Sequence, residues 1–296
     1  MVQMEIGDVK ETIKTICVVG AGTMGRRIAL QCAVHGFKVN LWSRTEKTLK
    51  EAQEWQRKSL NKRARKGEFS EEEIEKALSR INYTTDLKEA AKNADFVFEA
   101  AAEDLELKRK LFAQLDEICP PHTILSTNSS SIKSSLIADA TKRPDKVLNA
   151  HFALRIEDNC LLEIMGNPWT SEETIELTTA LGQAIKMVVV HARKEVSGLI
   201  LNRMLRALLN SALDIAEMGI ATPEEVDKTW SVATGMLGPF TIMDLIGLDV
   251  VLSVEKLWHQ ETGDPRDKPH ELLVEKVRKG ELGLKTGKGF YTYDKK

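Results

Sequence analysis

A doubly wound, parallel-sheet α/β domain followed by an all-helical C-terminal domain is predicted by three features of the 296-residue sequence. A glycine-rich turn joins a short apolar run to a helical pattern. Strand-like and helix-like stretches then alternate as far as residue 191, and from residue 197 the apolar positions take helical spacing instead. Alternation implies parallel strands linked by helices, and the change of period implies a second domain. The boundary is placed at Arg193, giving domains 1–193 and 194–296, with a helical hairpin inserted at about 45–80.

The first unit occupies residues 14–44. Ile16, Cys17, Val18 and Val19 read as a buried strand that runs into GAGTMG, and Ile28, Ala29, Cys32 and Ala33 mark the following helix. Residues 37–42 supply the next strand. Gly20, Gly22 and Gly25 fit G-x-G-x-x-G in its β-α-β context, the Rossmann-type dinucleotide turn. The first glycine makes the turn, the second admits a pyrophosphate and the third lets helix and strand pack closely. Thr23 and Met24 lie in the same turn, where helix N–H groups face the anion. Past the second strand, where an NAD-preferring fold places a carboxylate, stand Ser43 and Arg44, and no acid occurs before Glu46. A hydroxyl and a guanidinium suit a ribose phosphate, so NAD(P) is the expected cofactor, with NADP favoured and NAD the alternative.

Residues 45–80 form the predicted hairpin, broken at Lys66, Gly67 and Glu68, with Ser70 and Glu73 spaced as a capping box. Its basic cluster, Lys62, Arg63, Arg65 and Lys66, is either a solvated face or a phosphate site. Strands at 81–84, 95–100, 123–126, 147–152, 161–165 and 186–191 then interleave with helices at 86–92, 105–118 and 171–182. Ligands of such sheets bind beyond the strand C-termini, which directs attention to residues 99–103, 128–131 and His151. Apolar positions from Leu199 to Ile220 and from Val232 to Val254 cover more than one helix face, as in a bundle or dimer. The tail LGLKTGKGFYTY reads as a loop and a short extended segment.

Composition narrows the class. A net charge of -2 gives no basis for a nucleic-acid or membrane partner. No apolar run approaches the roughly eighteen residues of a membrane span, and residues 1–14 lack an apolar leader core. Cys17, Cys32, Cys119 and Cys160 show no C-x-x-C spacing, so they read as small hydrophobes in a reducing cytoplasm, and no metal site is expected.

For chemistry, the second half of the sheet offers His151 at one strand end and Glu163 within the next strand. A carboxylate bonded to one imidazole nitrogen orients the ring and leaves the other nitrogen to take a hydroxyl proton as hydride leaves the same carbon. Spacing alone leaves open an ordinary strand-end histidine and a surface glutamate.

On these residues the chain resembles the 3-hydroxyacyl-CoA dehydrogenases, from about Lys14 to Tyr293. The matching segments are GAGTMG, FEAAAEDLELKRKLF, STNSSSI, the His151 to Glu163 spacing, GLILNRM, GPFTIMDLIGLD and LKTGKGFYTY. The resemblance implies that His151 is the base in oxidation and Glu163 its orienting partner. It implies that Ser130 and Asn202 contact the substrate oxygen, and that Glu103 and Lys108 line the nicotinamide and its ribose, while Asn128, just past the strand at 123–126, is a further cofactor-binding candidate. Ser59 and Lys66 match positions near the CoA moiety, and the family implies a homodimer formed through the C-terminal helices.

The chain departs from the family where Asn-Pro is expected after the histidine and its aromatic neighbour: Leu154 and Arg155 stand there instead. Met236 replaces a usual proline. The dyad is kept while the shell facing the substrate changes, so an unusual acyl group is expected. A dehydrogenase of a free hydroxy acid, like the L-gulonate or carnitine enzymes, is the alternative within this chemistry, and a non-catalytic dinucleotide-binding protein the alternative outside it.

Overall fold

Residues 6–153 and 156–293 are described by the computed structural model, which divides into two compact units, Met1–Ile200 and Leu201–Lys296. The division falls after the expected Arg193 because residues 195–200 bond back onto the first unit. Glu195 accepts the Ser135 N–H at 2.8 Å, and Gly198 N–H reaches the Ser130 carbonyl at 2.8 Å.

The first unit opens with helix α1 (Ile6–Thr12), which the sequence reading did not anticipate. Strand β1 (Thr15–Val19), helix α2 (Thr23–Val34) and strand β2 (Lys38–Trp42) form the expected β-α-β unit. The hairpin consists of α3 (Glu46–Ala64) and α4 (Glu71–Leu78). Its α4 cap is the reciprocal Ser70–Glu73 box that the spacing predicts. Next come β3 (Ile81–Thr84), α5 (Leu87–Ala91), β4 (Phe96–Glu99), α6 (Leu105–Ile118) and β5 (Ile124–Thr127). The unit continues through α7 (Ser135–Ala138), β6 (Val147–Phe152), α8 (Ile156–Asn159), β7 (Leu161–Gly166), α9 (Glu172–Ala184) and β8 (Val188–Ala192).

The eight strands make one sheet in the order β3-β2-β1-β4-β5-β6-β7-β8. Strand order reverses between β1 and β4, which opens a crevice where the glycine turn lies. Every pair is parallel, as the alternation predicts, except β6 and β7, which run antiparallel. The connection 153–160 is shorter than the dozen or more residues that a parallel crossover requires. Ile16, Val18, Phe96, Phe98, Ile28 and Ala29 are buried at the centre of the core between sheet and helices.

The second unit contains α10 (Leu201–Glu217), α11 (Pro223–Thr234), α12 (Pro239–Ile246), α13 (Leu248–Thr262) and α14 (Glu271–Arg278). Leu209, Leu213, Phe240, Met243, Leu248 and Leu273 form its core. Two buried carboxylates organise it. Asp227 accepts the Phe240 and Thr241 N–H groups at the start of α12, and Asp244 accepts those of Phe290 and Tyr291. The glycine- and aromatic-rich tail is thereby pinned by α12.

Candidate active site

The glycine turn has the shape its sequence requires. Gly20 adopts φ +107°, and a side chain there would meet the Ala100 carbonyl oxygen at 2.6 Å. One at Gly25 would collide with the Gly20 carbonyl oxygen, whereas one at Gly22 would enter open space. Gly22 is also the N-cap of α2, with no side chain capping it and no acid in the first turn, Thr23 and Met24 included. Unfilled space above Gly22 and helix N–H groups without a side-chain cap fit a pyrophosphate.

The adjoining cleft has a volume of about 230 Å³ and is walled by Gly20, Gly22, Trp42, Ser43, Arg44 and Thr48, among others. Ser43 is buried and Arg44 exposed. Thr48 was missed by the sequence reading. It is brought to the cleft because Thr45 caps α3 by accepting the Thr48 N–H. The signal available was a threonine pair spaced three apart after a strand end.

Glu99 at the end of β4 and Lys108 on α6 form a buried ion pair, the ammonium lying 2.8 Å from each carboxylate oxygen. Glu99 also accepts the Thr127 hydroxyl and the Ala101 N–H, both at 2.7 Å. Lys108, expected along the nicotinamide, is 1% exposed, and Glu99 supplies the counter-charge that a buried ammonium needs. Its link to the surface is Glu103, 3.5 Å away. Glu103 accepts hydroxyl hydrogen bonds from Ser129 and Ser131. Burial opposes its charge, but those hydroxyls and Lys108 outweigh it, so the carboxyl sits below its ordinary range.

The serine loop is held on several sides. Asn149 donates to the Ser129 and Ile132 carbonyls, and the carbonyl of half-buried Ser130 accepts from Gly198. Asn128 bridges two strands, its N–H on the Glu99 carbonyl at 2.7 Å and its side-chain oxygen on the Phe152 N–H at 2.9 Å.

His151 and Glu163 are directly paired residues of the antiparallel strands β6 and β7. The His151 Nδ1 lies 2.9 Å from Glu163 Oε2, and Glu163 Oε1 accepts the Ile200 N–H at 2.9 Å. The Glu163 side chain is 2% exposed and that of His151 11%. A buried carboxylate therefore orients an imidazole that retains access to its surroundings. With the shared proton on Nδ1, the ring presents Nε2 as an acceptor.

Of the remaining predicted positions, Ser59 is half-buried on α3 beside Arg27, Trp55 and Arg63, and Lys66 is exposed just past that helix. Asn202 falls in the second unit, in the first turn of α10. Leu154 and Arg155 lie outside the described residues, and Met236 is exposed.

Two family models match the chain. The model described as "3-hydroxyacyl-CoA dehydrogenase, NAD binding domain" matches residues 15–196, and the one described as "3-hydroxyacyl-CoA dehydrogenase, C-terminal domain" matches residues 198–293. A 3-hydroxybutyryl-CoA dehydrogenase of Clostridioides difficile is 37% identical over 95% of the chain and 99% of its own length. The (S)-3-hydroxybutyryl-CoA dehydrogenase PaaH1 from Ralstonia eutropha superposes with a TM-score of 0.92 at 33% identity, covering 96% of this chain and all of its own. A diketoreductase described in connection with catalysis of dicarbonyl compounds superposes with a TM-score of 0.83 at 36% identity, covering 95% of this chain and 99% of its own. The chain belongs to the 3-hydroxyacyl-CoA dehydrogenase family, oxidoreductases that act on a CH–OH group with a nicotinamide dinucleotide.

Proposed function

We propose that the protein interconverts (S)-3-hydroxyacyl-CoA and 3-ketoacyl-CoA, with NADP preferred to NAD. The observation that carries this reading is the His151–Glu163 hydrogen bond at 2.9 Å. In oxidation, His151 Nε2 takes the hydroxyl proton, and Glu163 stabilises the imidazolium and fixes its direction. Ser130 and Asn202 bind the substrate oxygen. The cofactor supplies the hydride acceptor, held by Gly20, Gly22 and Gly25 with Thr23 and Met24 at the turn, and by Ser43 and Arg44 at the adenosine end. Glu103 serves the nicotinamide end, with Lys108 acting through it, and Asn128 is a further cofactor-binding residue. Ser59 and Lys66 bind the CoA moiety. The enzyme works as a homodimer through its C-terminal helices. Buried free thiols at Cys17, Cys32 and Cys119 fit a reducing compartment such as the cytoplasm.

Likeness to the diketoreductase supports a second reading, in which the substrate is a free hydroxy or dicarbonyl compound. Turnover of 3-hydroxybutyryl-CoA is to be compared with that of free 3-hydroxy acids using both nicotinamides, and His151→Ala is to be assayed beside the wild type. The CoA reading expects turnover of the thioester, a higher KM for it alone in Lys66→Ala, and a loss of about a hundredfold or more in His151→Ala. Turnover confined to the free acids defeats the CoA assignment, and undiminished turnover in His151→Ala defeats the base.

A further inference from the structure

Six residues before α10 do more than connect two units. Gly198 and Leu199 are consecutive residues with positive φ, +79° and +45°. In a glycine this is unremarkable, but in a leucine the left-handed region brings the side chain against the following carbonyl oxygen. Such a conformation persists only where surrounding contacts hold it. Here the two residues turn the chain so that flanking amides face the first unit. Gly198 N–H donates to the Ser130 carbonyl at 2.8 Å, and Ile200 N–H donates to Glu163 Oε1 at 2.9 Å.

The second bond takes the carboxylate oxygen that His151 does not use. Glu163 Oε2 faces His151 Nδ1, so the Ile200 amide fixes the rotation of the carboxylate from the opposite side. A carboxylate free to rotate would release the imidazole from its set direction, and misorientation of a proton-transferring group costs rate rather than binding. The Leu199 side chain is buried at 1% exposure against Met165 and Ala192, which secures the strained backbone.

We propose that Leu199 is a positioning residue, its left-handed backbone aiming the Ile200 amide at Glu163 and so holding the His151–Glu163 pair. The inference rests on the dyad described under the proposed function. It gives the connector a part in proton transfer, since the turn that aims the Ile200 amide at Glu163 also places the Gly198 amide on the carbonyl of Ser130.

Two substitutions of nearly equal volume separate backbone from packing. Leu199→Gly and Leu199→Ala both empty the buried site, but only glycine takes positive φ freely. Leu199→Ile adds the complementary case, close to leucine in size but β-branched and averse to this conformation. Steady-state kinetics with the substrate identified above, together with titration of the reduced dinucleotide, supply the readouts. Leu199→Gly is expected to keep a kcat about fivefold to tenfold above that of Leu199→Ala, the rate equivalent of the left-handed penalty. Leu199→Ile is expected to lose kcat with an unchanged KM for the dinucleotide. Alanine equal to or better than glycine, or isoleucine at wild-type kcat, would overturn the proposal and reduce Leu199 to a packing residue. His151→Gln assayed in parallel keeps the two questions apart. Retained turnover in that variant removes the dyad, whereas lost turnover there with alanine matching glycine at position 199 removes only the connector's part.

Discussion

The proposed preference for NADP rests on Arg44. It lines the cleft beside Ser43 at the end of β2, where a carboxylate would repel a ribose phosphate and a guanidinium attracts it. Arg44→Ala is expected to raise KM for NADP by about tenfold, the equivalent of one charge-assisted hydrogen bond, and to leave KM for NAD within a factor of about two. Equal changes for both cofactors would show that Arg44 is a solvated side chain. At this scale the sequence was informative wherever a residue type carries its own chemistry. The three glycines, Ser43 and Arg44 could be placed by counting from a strand, and His151 with Glu163 by a family resemblance. What counting could not supply were partners contributed by other segments. Glu99 followed an apolar strand with nothing to reveal that Lys108 would pair with it, and the Ile200 N–H that holds Glu163 belongs to a backbone whose side chain is uninformative.

Among the elements, three helices of the second unit, α10, α13 and α14, meet at the buried His270. His270 caps α14, its Nδ1 lying 2.8 Å from Glu255 on α13 and its Nε2 lying 3.1 Å from Asp214 on α10. The Glu255 hydrogen bond, opposed by burial and reinforced by Asp214 and Glu217, raises its pKa from 6.5 to about 9. A pKa raised on folding means that the protonated ring stabilises the native state. That stabilisation is complete below the unfolded value of about 6.5 and is lost as pH rises through about 9. Thermal melts of the whole chain are expected to show a fall in Tm over this window, and His270→Gln should flatten that part of the pH dependence. The variant should also cost about 1–3 kcal/mol near neutrality, because it deprives the buried Glu255 of its charged partner. A wild-type Tm independent of pH over the window would refute this assignment. Long elements of this kind were legible: α6 and β6 fall where apolar periodicity placed them. The misses have local causes. Helix α1 buries Val9, with Ile13 just beyond it, in too short a pattern to stand out. The antiparallel turn of β7 depends on connector length, and periodicity carries no strand direction.

For the whole molecule the decisive feature is apolar surface that the second unit leaves uncovered by itself. Met204, Val232, Leu245 and Val250 are exposed there, Val232 to 81%. These residues come from four of its five helices, α10 to α13. Single exposed hydrophobes are ordinary, and several large ones on one small unit are what the proposed homodimer would cover. The unit's own core is complete without them, since Leu209, Phe240, Met243 and Leu273 are buried. Exposure of these side chains is therefore not a cost that folding of the unit can remove. A second copy of the chain would remove it, and like-with-like contact needs no other partner. Sedimentation equilibrium of the wild type at micromolar concentration is expected to give the mass of a dimer. Val232→Asp would place an unpaired carboxylate in that contact at a cost of several kcal/mol, which raises the dimer Kd by about a hundredfold or more. Circular dichroism at matched concentration is expected to be unchanged, because Val232 contributes nothing to the core. A monomeric wild type would end the dimer proposal, and a dimer unaffected by Val232→Asp would move the contact to another face of the helices.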